Sequence, residues 1–444
     1  MNNKGNNMRS NSDQSQLEGK SFFEQLEEEL FNSADSNNKI KFKDEKSPYY
    51  FLPPLQDFLE LLNLPHTQKQ LLDLAESAFG IDSKIGRSSK FAIFGNGVGK
   101  QVISKLLGFY KNLPIPFDDV FTPKNLNKID KSAKVGSNAV HWLSAVPFYK
   151  LSAPDGESDK ELEPLFLFIE KRCQTEVRFL EYVREKIKND KIDREDTVII
   201  YKYISVFWKN ETKVPEHAVH TLGNIIKYPE RLKKPSKEDT LSAIESYCFM
   251  NLDFYLEAIT YFEIGVRYEY GNDPQNLKKE IGTITRSIYA FATNNTISTC
   301  FEALLIEYKK ILTDLVGKTG FRELARFIDI NELENADLSE SLDDRQYTQL
   351  KRWRNGKDIP SNERLAAFLD KLDEYANVDS GYVLKMAFRI ALGVDKLVGK
   401  IKSATAFDNC EPHEVEAIFK KVLAEIPTYY ESNITDFLNA KNAD

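Results

Sequence analysis

Polar and basic side chains recur at helical spacing between Arg345 and Lys357. In a helix, the positions i, i+3, i+4 and i+7 share one face. Here these positions are Arg345, Thr348, Gln349 and Arg352. Arg and Gln side chains can form paired hydrogen bonds with base edges, and Lys or Arg can neutralise phosphate. The chemistry that this face could perform is therefore recognition of a nucleic acid.

The segment from Arg345 to Leu372 predicts a helix, a short turn and a second helix. The apolar stripe of the first helix consists of Tyr347, Leu350 and Trp353. Gly356 is expected to end that helix, Pro360 prevents its continuation, and Ser361 is suited to cap the next one. The second helix would turn four apolar residues inward: Leu365, Phe368, Leu369 and Leu372.

A resemblance to a known family rests on the pattern Trp353-x-x-Gly356-Lys357-x-x-Pro360-Ser361-x-x-x-Leu365-x-x-x-Leu369. This pattern resembles the third helix, turn and fourth helix of lambda-repressor-like helix-turn-helix domains. In that family the N-terminal residues of the third helix enter the major groove of DNA, and the following turn lies near phosphates. The resemblance implies base-edge contacts by Arg345, Gln346, Thr348 and Gln349. It implies DNA-backbone contacts by Lys351, Arg352, Arg354, Asn355 and Lys357.

The upstream part of such a domain has two candidate helices. Residues 297–316 could supply the first helix, and the run from Gly320 to Arg326 could supply the second. The family joins the second and third helices by a short turn, whereas here Asp329 to Asp344 intervenes without one Lys or Arg. This acidic segment would repel phosphate, or could occupy the basic face when DNA is absent. The alternative is a helical hairpin with a solvated basic face, packed inside a larger α-helical protein.

Composition sets limits on the class of protein. The chain has 444 residues, of which 41% are hydrophobic and 29% charged, with a net charge of −8. This is an ordinary globular composition with room for two or three domains, and any DNA binding must come from a local patch. The four cysteines form no C-x-x-C pair, which argues against a zinc ribbon or disulfide framework and favours a reducing cytoplasm. No secretory or membrane-spanning pattern is recognised, so we expect no membrane association.

Other motifs that could do chemistry are incomplete. The stretch from Gly95 to Lys100 resembles a phosphate loop, but Phe94 replaces the first glycine and Gln101 the hydroxyl residue, so a plain turn is favoured. His217 and His220 lie one helical turn apart without further ligands, which favours a surface or capping role. No hydrolase elbow, zinc-protease or kinase motif occurs. We therefore predict no catalytic residue, cofactor or metal.

Hydrophobic periodicity predicts a mainly α protein. The expected architecture is a multi-helix bundle or helical-hairpin array with an embedded helix-turn-helix-like unit and a small mixed N-terminal region. The predicted divisions are a disordered tail (1–20), an N-terminal region (21–155), a central helical domain (156–295), the helix-turn-helix-like region (296–378) and C-terminal helices (379–444).

Two functional hypotheses from different classes follow. The first is a DNA-binding helical protein, acting as a regulator or as the DNA-recognising subunit of a larger assembly. Its partners would be duplex DNA and either a protein partner or a second copy of itself. The alternative is a non-catalytic interaction component of a multi-protein complex, such as one of a mobile element or of phage defence. A further, third hypothesis is a nucleotide-dependent enzyme that acts through residues 95–100.

Overall fold

The computed structural model describes most of the chain and is almost entirely helical. The described residues are 39–40, 52–92, 98–115, 117–151, 160–190, 192–193, 196–228, 235–271, 276–330, 341–403 and 410–442. The prediction of a mainly α, multi-helix protein is confirmed. The predicted tail 1–20 lies outside the described residues. Within them, no helix combines the length and apolar character needed to cross a membrane.

The N-terminal part contains a small mixed unit. Strands β1 (Lys39–Ile40) and β2 (Val98–Gly99) pair antiparallel. The helices are α1 (Leu55–Leu61), α2 (Gln68–Phe79), α3 (Arg87–Ala92), α4 (Lys100–Lys111), α5 (Phe117–Val120), α6 (Pro123–Lys134) and α7 (Ala139–Leu151). Residues of α2, β2, α4 and α5 form a separate small core around Ile103 and Leu107.

The central part begins with a single 3-10 turn at Lys160–Leu162. It continues through α8 (Glu163–Asn189), α9 (Thr197–Glu211), α10 (Glu216–Lys227), α11 (Lys237–Tyr270), α12 (Asn276–Lys279) and α13 (Thr283–Thr293). The C-terminal part contains α14 (Cys300–Val316), α15 (Phe321–Ala325), α16 (Leu342–Arg354), α17 (Asn362–Ala376), α18 (Gly381–Ser403), α19 (Pro412–Leu423) and α20 (Ile426–Lys441).

One hydrophobic core joins the central and C-terminal parts. It contains Phe249 from α11, Phe301 from α14, Trp353 from α16 and Phe388 from α18, all of them buried. The ring of Phe301 meets the rings of Trp353 and Phe388 edge-on, at centroid distances of 6.3 and 5.3 Å. The packing is therefore continuous across residues 295 and 378, where the sequence predicted divisions.

Helix α11 carries acidic groups into this interior. Asp253 is fully buried and lies 2.6 Å from the guanidinium of Arg172 on α8. Its other oxygen accepts hydrogen bonds from the backbone N–H of Lys213 at 3.0 Å and the Tyr429 hydroxyl at 3.2 Å. A buried carboxylate requires this degree of compensation, because it has lost its hydration.

Glu257, one turn further along α11, is less well compensated. Its carboxyl lies 3.5 Å from the same Arg172 guanidinium, which is closer to Asp253. Burial, together with the neighbouring Asp253 carboxylate, raises the pKa of Glu257 to about 8. The Arg172 guanidinium therefore compensates mainly the charge of the Asp253 carboxylate, and Glu257 is mostly protonated at neutral pH.

A third buried carboxylate of α11 holds the start of α13. Glu263 accepts hydrogen bonds from the backbone N–H groups of Ile284 at 2.5 Å and Thr285 at 3.0 Å. It thereby satisfies amides that have no partner inside α13. Gly282 makes this approach possible, because a Cβ at that position would lie 2.0 Å from the Glu263 carboxyl carbon.

The raised pKa of Glu257 predicts a pH dependence of stability. A folded-state pKa of about 8, above the ordinary 4.5, means that the folded protein retains a proton which the unfolded chain releases. This contribution is complete below about pH 4.5 and is lost as the pH rises through about 8. Glu257→Gln retains the neutral form, so it should escape this loss of stability, which approaches about 1.4 kcal/mol per pH unit.

The measurement is urea unfolding of both proteins at pH 5, 7 and 9. The stability of the variant relative to the wild type should increase from pH 5 to pH 9. Glu181→Gln, on the exposed surface of α8, is the matched control and should show no such trend. If Glu257→Gln and the wild type lose stability in parallel, Glu257 does not carry the extra proton.

Candidate nucleic-acid interface

The segment from Arg345 to Leu372 lies in α16 and α17, which pack with the two preceding helices, α14 and α15. Helix α14 packs against α16 and α17, and α15 packs against α16. The candidate runs 297–316 and Gly320–Arg326 correspond to α14 and α15. Their shared core includes Leu324 and Ala325 of α15, Leu350 of α16 and Leu369 of α17, which are fully buried. Residues 331–340 of the acidic segment lie outside the described residues.

The start of α16 is acidic, and α15 balances that charge. Ser341 caps the helix by accepting a hydrogen bond from the backbone N–H of Asp344. Arg322 donates to Asp344 at 2.9 Å, and Arg326 donates to Asp343 at 3.0 Å. Hydrogen bonds from Ser341 and then Arg322 hold the pKa of Asp344 below its ordinary value. No role was predicted for these two arginines from the sequence, although their i, i+4 spacing was the available signal.

The end of α16 is set by a glycine, as expected from the sequence. Gly356 has φ +65°, the left-handed conformation that glycine adopts without strain. The backbone N–H of Lys357 donates to the Arg352 carbonyl at 2.9 Å, which satisfies an acceptor at the open helix end. Ser361 then caps α17 by accepting from the backbone N–H of Arg364 at 3.3 Å.

Five of the predicted residues are exposed together on one surface. Thr348, Lys351, Arg352 and Asn355 have i, i+3, i+4 and i+7 spacing on α16, and Lys357 follows in the turn. We call these five residues the basic face. Within the part of the chain that the structure describes, its three cations form no ion pair with a carboxylate.

Gln346 has a structural position instead of the predicted base-edge position. Only 7% of this residue is exposed. Its amide nitrogen donates to the backbone carbonyls of Arg326 and Ile328, both at 2.9 Å. In this conformation Gln346 fixes the end of α15 to α16, and its amide nitrogen is already paired.

Arg354 also faces the protein instead of the predicted phosphate position. Its guanidinium donates to the Glu302 carboxylate at 2.6 Å and lies 3.8 Å from the centre of the Phe321 ring. The Glu302 side chain is only 7% exposed, so Arg354 is the counter-ion of a nearly buried acid. Its backbone carbonyl accepts from the Thr299 hydroxyl at 2.7 Å, which binds the end of α16 to the start of α14.

The two remaining predicted residues are half-buried at the margin of the basic face. Gln349 donates through its amide to the Asp358 carboxylate. The Nε of Arg345 is buried and has no hydrogen-bond partner among the described residues. Arg364 of α17, which was not predicted from the sequence as a site residue, places its guanidinium over the Trp353 ring at 5.5 Å.

The other motifs do not come together as a site. Of the glycine loop, residues 93–97 lie outside the described residues, and Gly99 precedes α4 as its N-cap. His217 contacts Glu245 at 3.3 Å, whereas His220 contacts Asn224 at 3.2 Å. Among the described residues, no group of His, Cys, Asp and Glu side chains could hold a metal ion.

Comparison with protein-family models, curated proteins and solved structures finds no match to this chain. The function must therefore be argued from its own residues.

Substitution of Arg352 and of Arg354 tests whether the first is a surface residue and the second stabilises the fold. Removing Arg354 strands the nearly buried Glu302 carboxylate, so Arg354→Met should lower the free energy of unfolding by about 3 kcal/mol. Arg352→Met removes an exposed cation that has no partner carboxylate among the described residues, and should change the free energy of unfolding by less than about 0.5 kcal/mol. Urea unfolding of both variants measures the difference.

A second substitution checks the cause of the loss. Glu302→Gln added to Arg354→Met removes the stranded charge and should restore part of the stability. Equal effects of the two arginine substitutions, or no recovery in the double variant, would contradict the assigned pairing.

Proposed function

We propose that the protein binds duplex DNA through the basic face of α16, as a regulator or as the DNA-recognising subunit of a larger assembly. The observation that carries this proposal is the exposure of Lys351, Arg352 and Lys357 together, without carboxylate partners among the described residues. A protein with net charge −8 gains little attraction for DNA from its overall charge, so such a local cluster is required.

The basic face contains both kinds of group that DNA recognition requires. Lys351, Arg352 and Lys357 supply charge for phosphates, which fixes the position of the helix. Thr348 and Asn355 supply uncharged donors and acceptors on the same face. Arg345, half-buried at the margin of this face, is the remaining candidate for a base edge.

The acidic start of α16 does not oppose this use of the helix. Asp343 and Asp344 each pair with an arginine of α15, so their charges are locally balanced. The same arginines are exposed beside the helix start. This arrangement is compatible with a polyanion bound along α16. Two unpaired carboxylates would repel the polyanion.

A protein-interaction role is the second candidate, and apolar exposure favours it. Leu342 at the start of α16 and Ile359 in the following turn are 51% and 46% exposed. Large exposed apolar side chains are common in protein contacts, and a single helix-turn-helix unit usually needs a second unit or a partner. These residues therefore suit either self-association on DNA or a partner in the absence of DNA.

The test uses the full-length protein and fluorescein-labelled duplexes of mixed sequence, followed by fluorescence anisotropy between 50 and 300 mM salt (roughly the range in which phosphate contacts are lost). The variant Lys351→Gln/Arg352→Gln/Lys357→Gln removes the three cations of the basic face. The wild type should bind with strong salt dependence. The variant should lose at least about tenfold in affinity, and its salt slope should fall by about 0.9 for each lost phosphate contact.

A charge-matched variant provides the control. Lys131→Gln/Lys188→Gln/Lys202→Gln changes the net charge equally through exposed lysines of α6, α8 and α9. This control should bind as the wild type does. Equal affinity of both triple variants for DNA would exclude the basic face as the DNA-binding site. If the wild type does not bind DNA even at 50 mM salt, the protein-interaction role is the hypothesis that remains.

A further inference from the structure

An apolar cavity lies in the body of the protein, away from the residues of the basic face. Its volume is about 300 Å³, and its walls come from α1, α7, α8, α11, α18 and α19. The cavity is partly open to the surface, and apolar walls that remain in contact with water cost stability unless something covers them. The cavity is roughly twice as large as the engineered cavity of about 150 Å³ that binds benzene.

The chemistry of the walls restricts what could fill the cavity. None of the lining side chains is charged. The polar atoms of two large lining residues are already paired: Trp142 donates to the Pro53 carbonyl at 2.9 Å, and the Tyr382 hydroxyl donates to Glu161 at 2.5 Å. A charged group would lose its hydration here without compensation. The walls therefore favour an uncharged, apolar molecule.

Contacts between the walls hold the cavity open. The ring of Phe58 on α1 stacks on Tyr255 at 5.8 Å and meets Trp142 edge-on at 5.2 Å. On the other side, Gly393 lets α18 approach α1 closely, since a Cβ there would lie 3.1 Å from Leu61. Helix α1 is thus fixed against two walls, and this limits its collapse into the space between them.

We propose that this cavity is a binding site for an uncharged, apolar small molecule, with the size of a two- or three-ring aromatic or a medium-length hydrocarbon chain. The proposal is independent of DNA binding. Helix α18 contributes Met386, Ile390 and Val394 to the wall. The same helix caps α14 through Asp395, whose oxygens accept from the backbone N–H groups of Cys300 and Phe301 at 2.6 and 3.0 Å. A ligand would therefore contact the helix that holds the start of α14.

The test uses the full-length protein and the neutral fluorescent probe N-phenyl-1-naphthylamine. Its fluorescence should rise saturably to one equivalent with the wild type. Ala145→Phe places a ring in the cavity and should weaken probe binding at least tenfold. Ala366→Phe changes a half-buried alanine of α17 outside the lining and should bind as the wild type does. Equal binding to wild type and Ala145→Phe, or no binding to the wild type, overturns the proposal.

A competition experiment tests the preference for uncharged ligands without any substitution. 1-Decanol should displace the probe from the wild type. At the same concentration, decanoate should displace less than a tenth as much probe. The two competitors differ mainly in the charge of one end. Equal displacement by decanoate, or none by 1-decanol, contradicts an uncharged apolar site, and this outcome remains informative even if Ala145→Phe fails to fold.

Discussion

The structure depends on the compensation of two carboxylates, those of Asp253 and Glu263, that α11 carries into the interior. Asp253 requires Arg172 of α8, the backbone before α10 and Tyr429 of α20. Glu263 requires the first amides of α13. Each acid therefore fixes a different neighbour of α11, because moving that neighbour would leave a buried charge or amide without a partner. The apolar contacts of the central core act in addition to these ion pairs and hydrogen bonds.

Acids with partners elsewhere in the sequence also connect the basic face to the body. Glu302 of α14 holds Arg354 at the end of α16, and Asp395 of α18 holds the first amides of α14. Asn63, after α1, exchanges hydrogen bonds with Asn362 at the start of α17. The exposed cations of α16 are thus presented by a helix whose ends are fixed, and α18 joins that support to the wall of the apolar cavity.

The features of α16 and α17 that were predicted from the sequence are those that neighbouring residues determine. The stripe of Leu350 and Trp353, the stop at Gly356 and the cap at Ser361 all follow from local periodicity and turn chemistry, and the structure has them. Periodicity and turn chemistry give no information about a polar side chain whose partner is distant in the sequence. The carbonyls that accept from Gln346 lie 18 and 20 residues upstream. Spacing on a helix cannot reveal which polar residue faces a neighbouring element, so Gln346 was expected to face DNA.

The cap on α14 also has a consequence for the order in which the chain can fold during its synthesis. Asp395 is translated 95 residues after Cys300, whose amide it accepts. At about 5 to 20 residues per second, ribosomes need roughly 5 to 20 s to cover that distance. Lys357, the last residue of the basic face, precedes Asp395 by 38 residues. For the last roughly 2 to 8 s of the interval, the basic face has therefore been synthesised while the start of its supporting helix still lacks its acceptor. The nascent protein therefore displays its cationic surface before the body that orients it is complete.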